Sequence, residues 1–384
     1  MKIAFIGQKG IPALHGGVEK HVEKLATTLV TRGHEVTVYV RSSYTPASMT
    51  AFEGVTLVHI PCIQTKHLEA LSYSLGATLH ALFTPFDVIH FQSLGPSIFS
   101  WIPRVFKPKT RVIATFHSRE YTHSKWGRMA RMFLRIAEQI ICTVPERTIV
   151  SDEALIPYIC ETYDRDGTFI PSGPEITPCN DVTFLTQLGL RPQRFVLAVQ
   201  TGATQEGMHY LIKAFKDLED TNRLPNNFKL VIVGISRVPI EYSRFLHHLV
   251  EGRPNILLRE EETMEMLYSQ AYMYVEPKEQ EGYSRALMEA MGQGLMPLVS
   301  ETLTHREMVA NTGAYFPLRD IEKLKSELAY YINRSDEVIA LGNTAEERIR
   351  EYYSWDAVTQ KTLEVYQEVA FQNHKEHYAS LRSK

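Results

Sequence analysis

Cysteine, excess charge and long apolar runs are all scarce in this 384-residue chain. Its four cysteines, Cys62, Cys142, Cys160 and Cys179, form no C-x-x-C pair and follow no zinc spacing. That argues against a disulfide framework or a cysteine-held zinc, and for reduced thiols in a cytosolic protein. The 41 Lys and Arg nearly balance 44 Asp and Glu, giving a net charge of −3. Nothing therefore draws the chain as a whole to nucleic acid or membrane, and any such attraction has to be local. No apolar run approaches the roughly 20 residues that cross a bilayer. The start, Met1 to Gly7, reaches a turn too soon for a signal peptide, so the expected location is the cytoplasm. A G-x-G-x-x-G turn is also missing after the first strand, where Gln8 to Gly17 is long and irregular, and this disfavours a nicotinamide or flavin site.

With 44% hydrophobic and 22% charged residues, the composition is that of a globular protein, and the length suggests two domains. Ile3 to Ile6 reads as a strand closed by Gly7. Val18, Val22, Leu25 and Leu29 recur at helical spacing up to Gly33, and His34 to Val40 reads as a second strand. Strand, helix, strand within about 40 residues is a parallel, right-handed βαβ unit. Further units follow, as far as the strand Arg111 to Phe116. The Pro-rich stretch Phe169 to Pro178 separates this half from a second α/β pattern, with strands expected at 195–199, 230–233, 256–258, 271–275 and 297–299. The expected fold class is α/β, with Rossmann-like doubly wound domains over 1–172 and 181–353 and a linker at 173–180.

Two acids stand out between Glu276 and Gly294. The apolar run before Glu276 predicts a strand and Ala286 to Met291 a helix, so Glu281 falls in the loop and Glu289 in the helix. Carboxylates across such a joint can point at one cleft, where each can accept two hydrogen bonds from vicinal sugar hydroxyls. The N–H groups of Gly282, Tyr283, Ser284 and Arg285, at the helix N-terminus, would favour a phosphate there. Equally, Glu289 can simply pair with Arg285 one turn earlier, worth a few tenths of a kcal/mol. Spacing alone leaves both readings open. Gly16 and Gly17, before the first helix, either let backbone amides approach a ligand or form a plain flexible loop. His117 closes a strand at the edge where open α/β sheets bind ligands, though a lone His is more often structural. His90 reads as packing.

The run E-G-Y-S-R-A-L-M-E-A-M-G-Q-G resembles the E-x7-E signature of the retaining GT-B glycosyltransferases of family four. G-Q-K-G-I-P-A-L-H-G-G-V-E-K-H-V is similar to the same segment of bacterial rhamnosyltransferase-like members, and T-F-H-S around His117 and Tyr353-Ser354-Trp355-Asp356 extend the likeness over nearly the whole chain. The resemblance implies a GT-B fold with two domains facing a central cleft and residues 354–384 crossing back onto the first. It implies retaining, metal-independent transfer of a hexose or deoxyhexose from a nucleotide-diphosphate sugar to a saccharide or polyprenyl-linked acceptor, in surface polysaccharide synthesis and without a cofactor. Catalytic roles fall to His117 and Glu281, with Glu281 orienting the sugar and His117 meeting an outer hydroxyl or a phosphate. Glu289 would hold the ribose, Gly16 and Gly17 the acceptor and phosphate side, and Gly282, Tyr283, Ser284 and Arg285 the rest of the donor. The transition state would be oxocarbenium-like, with the leaving diphosphate met by preorganised donors.

One departure bears on the chemistry. Where the family carries an Arg and, five residues on, a Lys-Gly that bind the diphosphate, this chain has Thr201 and Glu206. Loss of a desolvated charge partner typically costs about 2–5 kcal/mol. Either helix N-termini, Arg285, Lys278 or Arg237 take over, or the chain is a non-catalytic GT-B subunit acting as a scaffold in a glycosyltransferase complex. Separately, residues 104–135 hold nine bases against the single acid Glu120, with Trp126, Met129, Met132, Phe133 and Ile136 interleaved. That is the pattern of a basic amphipathic helix able to dock on an anionic membrane surface, or of a core-packed helix with a solvated basic face.

Overall fold

The computed structural model describes residues 1–382 except 64, 66, 67, 120–126, 154, 178, 180, 181 and 261–263, with backbone alone for 371–382. The chain divides into two compact units, Met1–Gly173 with Trp355–Lys384, and Pro174–Ser354.

In the first unit the strands are β1 (Lys2–Ile6), β2 (Glu35–Arg41), β3 (Ala51–Phe52), β4 (Val55–Ile60), β5 (Val88–Gln92), β6 (Arg111–Phe116), β7 (Arg147–Val150) and β8 (Gly167–Phe169). They form one sheet in the order β3-β4-β2-β1-β5-β6-β7-β8, parallel except for β3 against β4. Every residue of β5 is buried, as expected of a central strand covered on both faces. The covering helices are α1 (Gly17–Thr31), α2 (Glu69–Phe83), α3 (Leu94–Ser97), α4 (Trp101–Phe106), α5 (Arg128–Thr143), α6 (Leu155–Tyr163) and the final α15 (Trp355–Arg382). On one face, α1 and α15 contribute Val22, Leu25, Val358 and Tyr366 to a core with Ile3 and Phe5. On the other, α2, α5 and α6 contribute Tyr73, Leu134 and Ile159 to a core with Ala4 and Ile89.

The second unit has β9 (Phe195–Val199), β10 (Lys229–Val233), β11 (Ile256–Arg259), β12 (Met273–Glu276), β13 (Pro297–Ser300) and β14 (Ala314–Phe316), in the order β11-β10-β9-β12-β13-β14 and parallel throughout. Its helices are α7 (Thr183–Gln187), α8 (Met208–Asp220), α9 (Ile240–Leu249), α10 (Met264–Gln270), α11 (Arg285–Gly292), α12 (Leu303–Val309), α13 (Ile321–Ile332) and α14 (Ser335–Tyr352). Again two cores flank the sheet. Strand order reverses between β1 and β5 in one unit and between β9 and β12 in the other. Those two switch points, at the strands' carboxyl ends, are where open α/β sheets leave a ligand crevice.

The basic run spans several elements, including the strand expected at Arg111 to Phe116. Arg104 belongs to α4 and Arg111 opens β6, and both pair with the carboxylate of Glu146, at 3.8 Å from Arg111. Only the part from Arg128 lies on α5, which buries Leu134, Ala137 and Ile141 and leaves Met129, Met132 and Ile136 exposed. Glu120, Lys125 and Trp126 lie outside the described residues.

Candidate active site

At the β9/β12 switch point two loops are locked together. Glu279 N–H donates to the Gln205 carbonyl at 2.8 Å, and a Cβ on Gly207 would lie 2.2 Å from the Pro277 carbonyl oxygen. Only glycine, at its φ of +70°, lets the two loops approach so closely. Glu206, standing where a cation was expected, turns inward. Its carboxylate accepts from the Thr201 N–H at 2.7 Å, the Thr201 hydroxyl and the Gln200 amide. Burial pushes its pKa up, against the hydrogen bonds from Thr201.

Glu281 follows in the second loop. Its carboxylate accepts from the N–H groups of Leu303 and Thr304, both at 3.0 Å, and from the Thr304 hydroxyl at 2.8 Å, at the head of α12. Burial pushes its pKa up, but these bonds outweigh that and hold it below the ordinary value. The expectation that amides from Gly282 onward face a phosphate fails at its first member, because Gly282 N–H donates to Thr304 Oγ1 at 3.2 Å. Tyr283 bonds Glu307 through its hydroxyl, and Ser284 caps α11 by accepting from Leu287 N–H. Arg285 donates from Nε to Glu289 at 2.8 Å and pairs with Glu175 at 3.2 Å, so the helix-surface pairing of Glu289 is present. One guanidinium thus serves two carboxylates. Burial and the second carboxylate together leave the Glu289 pKa raised despite the pairing with Arg285.

Beneath this loop lies a pair that the sequence reading did not single out. Glu276, closing β12, is buried and accepts from Ser284 Oγ at 2.7 Å and Tyr274 Oη at 3.0 Å, and its other oxygen lies 3.1 Å from His305 Nε2. His305 Nδ1 stands 2.7 Å from the Ser300 carbonyl, which can only accept. With Glu276 ionised, both ring nitrogens therefore donate. Burial drives the Glu276 pKa up, but the bond and charge of His305, then Lys278 and Ser284, bring it below the ordinary value. An acid ending an otherwise apolar strand was the available signal.

In the first unit Gly16 has φ +101°, and a Cβ there would stand 1.9 Å from Glu19 Oε2, whereas a Cβ on Gly17 meets nothing within 4 Å. The other oxygen of Glu19 accepts from Lys9 N–H at 3.0 Å. His117, half-buried after β6, bonds Gln92 Oε1 through Nε2 at 2.9 Å, and its ring lies 5.2 Å from that of His21. His21 contacts Ser172 Oγ at 2.8 Å, and His90 contacts Tyr366 Oη and Thr115 Oγ1, both at 2.7 Å. Burial lowers all three pKa values, to about 4 for His21, about 3 for His90 and well below the ordinary value for His117. His117 is then a neutral donor and acceptor suited to a hydroxyl, not a cation for a phosphate. Gly16, Gly17 and His117 belong to one unit, and the stretch from Glu281 to Glu289 to the other.

The chain does carry one Asp-x-Asp triplet, Asp164-Arg165-Asp166, between α6 and β8. Among the described residues, no group of three or more His, Cys, Asp or Glu side chains could hold a metal ion. No helix among them is long and apolar enough to cross a membrane.

Two doubly wound sheets in one chain, each with a switch point at its strands' carboxyl ends, match the GT-B fold of glycosyltransferases. The family profile "Glycosyltransferase Family 4" matches residues 15–173 and "Glycosyl transferases group 1" matches 186–353. Each match covers less than half of the chain, and together they identify a glycosyltransferase. It is 23% identical to spore coat protein SA of Bacillus subtilis, over 96% of this chain and 99% of that one. Among solved structures, sucrose-phosphate synthase from Thermosynechococcus elongatus superposes with a TM-score of 0.70 at 20% identity, covering 96% of this chain and 98% of that one. Anabaena HepE in complex with UDP and glucose gives 0.66 at 15% identity, covering 96% and 100%.

Proposed function

We propose that the chain is a retaining, metal-independent glycosyltransferase. It moves a hexose or deoxyhexose from a nucleotide-diphosphate sugar to a saccharide or lipid-linked acceptor in surface polysaccharide synthesis, as do the bacterial rhamnosyltransferase-like members it resembles. The observation that carries this reading is the β9/β12 switch point, where Glu281 is held ionised in the loop that leads into α11 and Glu289. An ionised, fixed carboxylate suits the hydroxyls of a donor sugar, and Glu289 suits a ribose. UDP and glucose in the HepE complex support a nucleotide sugar as donor. With Glu206 turned into its own loop and Arg285 committed to two acids, the leaving diphosphate is met by amides at the α11 N-terminus and by Lys278, whose Nζ reaches the Gly282 carbonyl at 2.9 Å. His117, neutral, suits a sugar hydroxyl.

The exposed Met129, Met132 and Ile136 of α5, beside Arg128, Arg131 and Arg135, support docking on the cytoplasmic face of an anionic membrane. Flotation with anionic liposomes tests that part. A thermal-shift panel of nucleoside diphosphates tests the donor. A ligand at one hundred times its Kd adds ~2.7 kcal/mol to the native state. No shift at millimolar concentration with any nucleotide would sink the reading. Transfer that persists in EDTA, with retained anomeric configuration by NMR, is the expected outcome for the reaction itself.

A further inference from the structure

Two consecutive residues in the first turn of α12 grip two different parts of the donor loop. Thr304 holds the part that carries Glu281: its N–H and hydroxyl both donate to that carboxylate, and its Oγ1 accepts from the Gly282 N–H. His305 reaches beneath the same loop to Glu276. Its ring spans the ends of two neighbouring strands, with Nδ1 on the carbonyl of Ser300, which closes β13, and Nε2 on the carboxylate of Glu276, which closes β12. The other oxygen of Glu276 accepts from Ser284, whose Oγ in turn caps α11 by accepting from the Leu287 N–H at 3.2 Å. An unbroken line of hydrogen bonds therefore runs from the carboxyl end of β13, through α12 and β12, to the N-terminus of α11. Glu281 is tied to one end of that line, and the helix that carries Glu289 is set by the other.

Stability does not account for the pair. Both residues are buried, and an ion pair withdrawn from water gives little net stabilisation. Apolar side chains of similar volume in place of such a pair are often neutral or stabilising. What they do not supply is direction. Hydrogen bonds at both ring nitrogens and both carboxylate oxygens fix where α12 stands against β12 and α11. A displacement of about 1 Å at a reacting group can cost roughly a hundredfold in rate.

We infer that Glu276 and His305 are positioning residues, which act through Thr304 and Ser284 to fix the Glu281 carboxylate relative to the N-terminus of α11. That this placement serves sugar transfer rests on the function proposed above; the placement itself does not.

Hydrogen–deuterium exchange of the full chain, read by mass spectrometry over 277–287 and 300–306 beside thermal melting, tests this. Glu276→Met combined with His305→Leu replaces the pair by apolar side chains and should melt close to wild type. Exchange should nevertheless rise roughly tenfold in both segments, because the amides of Gly282, Leu303 and Thr304 are no longer held in place. Glu276→Gln should keep wild-type exchange, since its amide can donate to a neutral His305 while its oxygen still accepts from Ser284 and Tyr274. His305→Gln stays polar but reaches only one of the ring's two partners, and it takes over the test if the apolar pair does not fold: exchange should rise in the same two segments and not elsewhere. Wild-type exchange in the apolar pair, or in His305→Gln where that pair does not fold, would overturn the inference. So would faster exchange spread over the whole second unit, the mark of a merely structural role. In transfer, the apolar pair should lose roughly a hundredfold in kcat with the donor KM little changed. Faster local exchange in a protein that no nucleotide stabilises would uphold the positioning and defeat the transferase reading. Wild-type exchange in a protein that a nucleotide does stabilise would defeat this inference alone.

Discussion

Acid should loosen the first unit well before its carboxylates titrate, and the buried histidines set the size of the effect. His21 and His90 have folded pKa values of about 4 and about 3, and His117 lies well below its ordinary value, all through burial. In the unfolded chain each returns to about 6.5. Above that pH both states are neutral and stability is flat. As pH falls below 6.5, the unfolded chain takes up protons that the fold refuses, so stability is lost until pH reaches the folded values. At pH 5 the loss is ~2 kcal/mol each for His21 and His90, with a further contribution from His117. The sum, ~4 kcal/mol or more, is a large part of the 5–15 kcal/mol that typically holds a domain together. Glu146 in the same unit works the other way, because its pKa is raised by burial. Its effect falls mostly in the carboxylate range below this window.

The measurement is a urea midpoint at half-unit pH steps from 8 to 5, followed by intrinsic fluorescence. All three tryptophans, Trp101, Trp126 and Trp355, belong to the first unit, so the probe does not see the second. The slope should approach two or three protons near pH 5.5, each worth ~1.4 kcal/mol per pH unit. His90→Gln should remove one proton from that slope, whatever it does to absolute stability. A stability curve flat to pH 5, or an unchanged slope in variants of all three histidines, would refute the reasoning.

Glu281→Ala should abolish sugar transfer while costing only ~1 kcal/mol of stability for the lost contacts at the head of α12, measured by turnover and denaturation together. Gly16→Ala should cost ~1–3 kcal/mol, since a Cβ there meets both a positive φ and the Glu19 carboxylate, whereas Gly17→Ala should be nearly silent in the same melt. His305→Ala should cost ~3–5 kcal/mol by leaving Glu276 buried without its partner, and the double variant with Glu276→Gln should recover part of that loss. Additive losses in that cycle would show that the two residues do not act as a pair.

Much of the fold was legible because the central strands are apolar runs with no competing period, as at Ile3 to Ile6 and Leu230 to Val233. β7 and β8 escaped notice, since four residues opened by Arg147 and three opened by Gly167 carry no pattern of their own. The ion pairs of the basic run were hidden for a related reason. Arg104 and Arg111 find their partner in Glu146, some 42 residues beyond Arg104, and no local window contains it. The same limit applies at the site. The strand, loop and helix around Glu281 and Glu289 follow from local composition, and so does the pairing of Glu289 with Arg285, which was one of two open readings. That the Glu281 carboxylate is held by amides 22 and 23 residues downstream does not. Nor could His21, His90 and His117 be seen as one cluster, because α1, β5 and β6 bring them together only through the sheet order.

The inward turn of Glu206 constrains how this loop can change. Three donors, the Gln200 amide and the Thr201 N–H and hydroxyl, converge on one carboxylate. Glu206→Lys alone would set a cation among groups that already point positive ends at it, stranding the two donors of Thr201 and repelling the newcomer, while the Gln200 amide keeps the Ala203 carbonyl. Thr201→Arg alone would replace one of those donors with a guanidinium that the same carboxylate captures before any diphosphate arrives. Neither single step restores a cationic clamp. The acid is therefore entrenched: an intermediate lineage or a designer seeking the Arg and Lys pair must change positions 201 and 206 together.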